Sequence, residues 1–143
     1  MQIYYLDDIL LGMYIFYMEW EIEFTNEFEQ WWNNLDEDEQ ESVAASVTLL
    51  EELGPNLPFP HSSGIKTSRY GEMRELRIQH AGRPYRVFYT FDSRRVAILL
   101  LGAIKADSDS RFYREYVPIA DKICEQCLKE IREEIEKEKT HAP

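Results

Sequence analysis

Residues 72–105 hold three strand-like runs separated by two short turn-forming stretches, and any fold for this chain must accommodate them as consecutive strands. In the first run Leu76 and Ile78 alternate with Glu75, Arg77 and Gln79, the period-two pattern of a strand with one face buried. Tyr85, Val87, Tyr89 and Phe91 repeat it, and Val96–Leu101 is a continuous apolar run. His80-Ala-Gly-Arg83 and Asp92-Ser-Arg-Arg95 supply the turn chemistry between them.

The register of the first hairpin follows from its turn. With residues 80–83 as a four-residue loop, Gln79 faces Pro84 and Arg77 faces Arg86. Like charges directly opposite one another are destabilising. Either an anion binds between these guanidinium groups, with Lys105 at the far end of the third strand, or both are solvated, or Glu75 neutralises them from a diagonal position.

The distribution of charge matters more than the net value of −11. Residues 1–59 carry 14 acidic and no basic side chains, and residues 115–143 carry 8 acidic against 5 basic. Residues 60–114 reverse this, with 11 basic against 5 acidic. The strands are positive and the flanking segments negative, an asymmetry that points to a local anion site. At 143 residues the chain makes one domain. No run of 18 apolar residues offers a membrane span, and none of the sequence suggests a cofactor. Cys124 and Cys127 stand without a second pair or nearby histidines, so they read as helix-face packing in a reduced, cytoplasmic protein.

Residues 1–17 are aromatic-rich and lack the positive start of a secretory signal; they read as an extension or a mis-assigned start, with the domain opening at Met18. Glu19–Phe24 alternates as a first strand. Thr25 caps a short helix in which Phe28, Trp31, Trp32 and Leu35 share one face. Asp36 and Glu39 form a capping box for a second helix that ends at Gly54-Pro55, and the acidic run over residues 36–41 is its solvated first turn. Residues 56–70 read as a loop carrying His61, Lys66 and Arg69. After Lys105 the pattern predicts a short helical turn, then a new helix opened by Pro118, with residues 131–143 as a charged tail.

Strand, helix, helix, three-stranded antiparallel sheet and helix is an α+β arrangement similar to the RelE/ParE toxin superfamily. The resemblance rests on LLEELGP (Leu49–Pro55), MRELR (Met73–Arg77), GRPYRVFYTFDSRR (Gly82–Arg95), ILLLG (Ile98–Gly102) and RFYREYVPIAD (Arg111–Asp121). In this order they resemble the phage-derived HigB-type branch, over residues 18–130. That resemblance implies a type II toxin that cleaves messenger RNA on the ribosome without metal, partnered by a small helix-turn-helix antitoxin. It assigns Arg86 to phosphate binding, Arg77 to the adjoining strand position and Lys105 to the leaving group. Tyr113 or Tyr116 would stack on a base, and Lys66, Arg69 and Arg74 would contact phosphates. Glu75 stands where some relatives have lysine, which leaves the general base open between Glu75 and the RNA itself. The same fold also serves non-catalytic toxins of the ParE type that bind a protein such as gyrase, and an inert phage remnant would retain only antitoxin binding.

Overall fold

The computed structural model describes residues 19–141, so the expectations for residues 1–17 lie outside it. The chain runs β1 (Glu21–Phe24), α1 (Asn26–Asn33), α2 (Glu37–Leu53), a 3-10 turn (Gly54–Asn56), β2 (Ser62–Gly64), β3 (Arg74–His80), β4 (Arg83–Phe91), β5 (Val96–Ile104) and α3 (Asp109–Thr140). One five-stranded sheet has the order β1-β5-β4-β3-β2. β2 to β5 pair antiparallel, and β1 lies parallel to β5. The sheet is therefore mixed rather than wholly antiparallel.

The helical hairpin is written into the local sequence as expected. The Thr25 hydroxyl accepts from the Phe28 amide, and Asp36 and Glu39 exchange side-chain and backbone bonds in a complete capping box. Gly54 ends α2 at φ +53, where a Cβ would also strike the Trp20 indole. α1 and α2 bury Phe28, Val43 and Leu50 against Leu76, Val87, Tyr89 and Leu99 on one face of the sheet. The other face buries Phe88, Ile98 and Leu100 beneath Phe112, Val117, Ala120 and Cys124 of α3. β4 and β5 are thus covered on both sides.

Three expectations are corrected. The first turn is tighter than predicted: His80 pairs with Arg83, and only Ala81 and Gly82 lie between, both at positive φ. The segment 56–70 is not all loop, since Ser62–Gly64 adds an edge strand to β3. Pro118 does not open a helix but lies inside α3. The apolar stripe Phe112, Val117, Ala120 and Cys124 continues through the proline with helical spacing. Burial of that stripe outweighs the hydrogen bond lost at its imide nitrogen. His80, at the end of β3, is half-buried and held by Ser42, with Ser42 Oγ 2.8 Å from its Nδ1.

Candidate active site

Side-chain alternation along β3 and β4 sends Leu76, Ile78, Tyr85 and Val87 toward the helical hairpin, and Glu75, Arg77, Arg86 and Phe88 toward α3. Arg77 and Arg86 are direct cross-strand partners, as the hairpin register predicts. Both guanidinium groups converge on Glu75. Its Oε1 lies 3.5 Å from Arg86 Nε, and its Oε2 lies 3.6 Å from Arg77 Nη1. Tyr113 of α3 donates its hydroxyl to the same carboxylate, 2.8 Å from either oxygen. Ser63 of β2 donates to Oε2 at 2.8 Å. Burial, reinforced by the hydrogen bond to Glu75, pushes the Tyr113 phenol above its ordinary value, so it remains a donor.

This cluster is almost out of water. Glu75 is 3% exposed and Arg86 6%, and Arg86 Nη1 donates to the Tyr85 carbonyl at 3.1 Å. Desolvating such groups costs several kcal/mol per ion by general estimates, and the carboxylate between the cations offsets part of that together with their mutual repulsion. Arg77 is less sequestered, with 30% of its side chain accessible. The pair therefore offers one buried, fixed cation and one that reaches solvent.

Lys105 reaches this face because of a bulge. Phe88 pairs with Leu101 and Tyr89 with Leu99, which leaves Leu100 without an opposing residue. The bulge shifts the alternation of β5 by one. Leu100 and Leu101 both turn toward α3, and so do Ala103, opposite Arg86, and then Lys105, whose amide bonds the Pro84 carbonyl. In the other phase after the bulge, Gly102 packs so closely on Trp31 that a Cβ there would fall 2.1 Å from the indole. Lys105 Nζ sits 2.6 Å from the Asp109 carboxylate at the first turn of α3. That ammonium, helped by Arg86 and Arg77, holds the Asp109 carboxyl below its ordinary value.

A groove of about 1360 Å³ runs between the β2 segment and the first half of α3, with Phe59, Lys66, Glu75, Arg77, Asp109 and Tyr113 among its walls. Among the residues expected to touch RNA, Lys66 and Arg69 line this groove, but Arg69 is bonded to Glu125 at 2.9 Å and flanks Asp121. Arg74 projects to the opposite face, where its Nε donates to Ser62 Oγ at 3.0 Å. Tyr116 packs on Phe112, with ring centroids 4.9 Å apart, outside the groove lining. Sequence reading did not single out Phe59, Asp109 or Arg114, all of which line the groove. Asp109 carried a usable signal in its i, i+4 spacing from Lys105; Phe59, in a proline-rich stretch, carried none.

Residues 30–125 match the family described as phage derived protein Gp49-like. HigB3 of Mycobacterium tuberculosis, a protein named as a toxin, is 40% identical over 100 residues, covering 70% of this chain and 86% of its own length. HigB2 of the same organism, also named as a toxin, is 37% identical over 94 residues, or 65% of this chain; the match spans 47% of that relative, about half its length. Among solved structures, a chain of the archaeal RelE–RelB complex from Pyrococcus horikoshii OT3 is similar, with a TM-score of 0.47 and 17% identity, covering 64% of this chain and 100% of that one. By its family match and its 40% identity to HigB3, this chain belongs to the phage-derived Gp49-like family, among toxins of the HigB type.

Proposed function

We propose that this toxin of a type II toxin–antitoxin system is an endoribonuclease that cleaves messenger RNA on the ribosome by attack of a ribose 2′-hydroxyl on the adjacent phosphate. The observation that carries the reading is the opposed pair Arg77 and Arg86, gathered by Glu75, with Glu75 and Arg77 lining the groove and Lys105 paired to the groove residue Asp109. Preorganised cations are the largest expected contribution to stabilising a phosphorane, and in-line positioning of the 2′-hydroxyl supplies much of the remainder. Arginine suits this task because its fork pairs with two phosphate oxygens at once.

The accessible Arg77 would take the scissile phosphate, with Arg86 fixing the field behind it. Lys105 would protonate the departing 5′-oxygen once the phosphate displaces the exposed Asp109 carboxylate. Glu75 suits an orienting role better than that of general base, so the proton of the attacking 2′-hydroxyl would pass to a non-bridging oxygen of the scissile phosphate and from there to solvent. Its two oxygens already accept from Tyr113 and Ser63 and flank two guanidinium groups. No step in this scheme needs a metal ion. A helix-turn-helix antitoxin would restrain the toxin, and both would act in the cytoplasm.

Induced expression of the wild type and Arg77→Ala, followed by mapping of RNA 5′ ends in arrested cells, tests the proposal. New ends within translated messages, absent with Arg77→Ala, support it. Growth arrest without new RNA ends would contradict it and favour a protein target of the ParE type.

A further inference from the structure

The groove holds an aromatic ring that the scheme above leaves unused. Phe59 is 70% exposed, the most exposed of the large apolar side chains among the described residues. A single exposed phenylalanine is ordinary on a protein surface. This one lies on the wall of the groove, and the Arg77 guanidinium carbon sits 5.3 Å from its ring centroid. One end of the Arg77 side chain therefore faces Glu75 while its plane lies near an open aromatic face.

The ring is rigidly presented. The His61 and Ser62 amides both donate to the Pro58 carbonyl, at 2.9 and 3.1 Å, closing a tight turn around Phe59. The Arg77 amide in β3 donates to the His61 carbonyl at 2.9 Å, which fastens this turn to the strand that carries the arginine. Ser62 Oγ lies 2.6 Å from the buried Tyr89 hydroxyl and accepts from Arg74 Nε. Arg74 thus anchors the turn from the far face of the sheet.

The two tyrosines expected to stack on a base are committed elsewhere. The Tyr113 hydroxyl is held by Glu75 and its ring packs edge-on against Phe112, with centroids 5.1 Å apart, and Tyr116 packs on Phe112 as well. We propose that Phe59 is a nucleobase-binding platform, on which an unpaired base of the RNA stacks beside the phosphate taken by Arg77. An unpaired base offers a π-face whatever its identity, and aromatic side chains are its usual partners. The cation beside the ring strengthens the site, because one nucleotide meets a charge for its phosphate and a plane for its base.

This inference rests on the RNA-cleaving reading, and its test separates the two. Single-turnover cleavage of a defined message on programmed ribosomes is measured against toxin concentration for wild type, Phe59→Ala, Phe59→Leu and Phe59→Trp. Absence of wild-type cleavage would remove the nuclease reading itself. With wild-type cleavage present, the platform predicts that Phe59→Ala and Phe59→Leu raise the half-saturating concentration about tenfold and change the maximal rate less than about threefold. Phe59→Trp should restore wild-type behaviour. Phe59→Leu matching the wild type, or all three variants losing maximal rate at unchanged saturation, would overturn the proposal. Retained cleavage with loss of antitoxin binding would also overturn it, by making this ring a protein contact.

Discussion

Glu75 touches both arginines, and that contact determines what each substitution can report. Arg86→Ala removes a nearly buried cation and strands a buried carboxylate, so it should cost about 3 kcal/mol of stability as well as activity. Arg77→Ala removes a partly exposed group; it should reduce cleavage by about 100-fold or more while changing stability by less than about 1 kcal/mol. Urea denaturation beside a cleavage assay distinguishes the two. Lys105 and Asp109 make a second prediction. Lys105 keeps the Asp109 carboxyl below its usual range, so Asp109 stays charged at neutral pH and competes with RNA for that ammonium. Asp109→Asn should tighten RNA binding several-fold and steepen its salt dependence by about one counterion. Cys124 makes a third. Burial pushes its thiol up to about 12 from an ordinary 9.0. Across that window the unfolded chain releases a proton that the folded chain keeps, so stability falls as pH rises. The buried Tyr85 and half-buried Tyr113 phenols, also raised, act in the same direction. The unfolding free energy, measured by chemical denaturation, should fall between pH 9 and 11 by up to about 1.4 kcal/mol per pH unit for each such group, and more shallowly in Cys124→Ala.

At the scale of elements, the parts legible in the sequence are those whose patterns are local. The capping box at Asp36, the cap at Thr25 and the alternation of β3 and β4 all concern residues within a few positions of one another. The Arg77–Arg86 pairing was legible for the same reason, since a short turn fixes the register it closes. β2 was not, because Ser-Ser-Gly has no period and becomes a strand only by pairing with β3. The bulge at Leu100 was hidden inside an unbroken apolar run, where no alternation exists to be shifted. The resemblance makes Arg74 a phosphate contact, whereas the pleat places it on the other face from Arg77. Pro118 illustrates tertiary packing overriding a local signal. Pro118→Ala should restore an N–H to the helix interior and raise stability by about 1–3 kcal/mol, measured by thermal or chemical denaturation.

Across the whole molecule the sheet divides two electrostatic surfaces. The helical hairpin side draws on residues 19–59, which hold no basic side chain. On the α3 side Lys66, Arg69, Arg77, Arg114 and Lys122 line the groove, and Arg86 and Lys105 pair with its carboxylates Glu75 and Asp109. A polyanion steered by this field meets the groove rather than the hairpin, so an acidic protein can still present a cationic site. In the proposed reaction these cations act on an attack started by the ribose itself. Its most direct test is the chemistry of the cut ends, measured with purified toxin on programmed ribosomes with no metal beyond the magnesium the ribosomes need. Cleavage should leave a 2′,3′-cyclic phosphate and a 5′-hydroxyl, and a message with a single 2′-deoxy nucleotide at the cut site should resist. Cleavage of the deoxy substrate, or products ending in 3′-hydroxyl and 5′-phosphate, would contradict it.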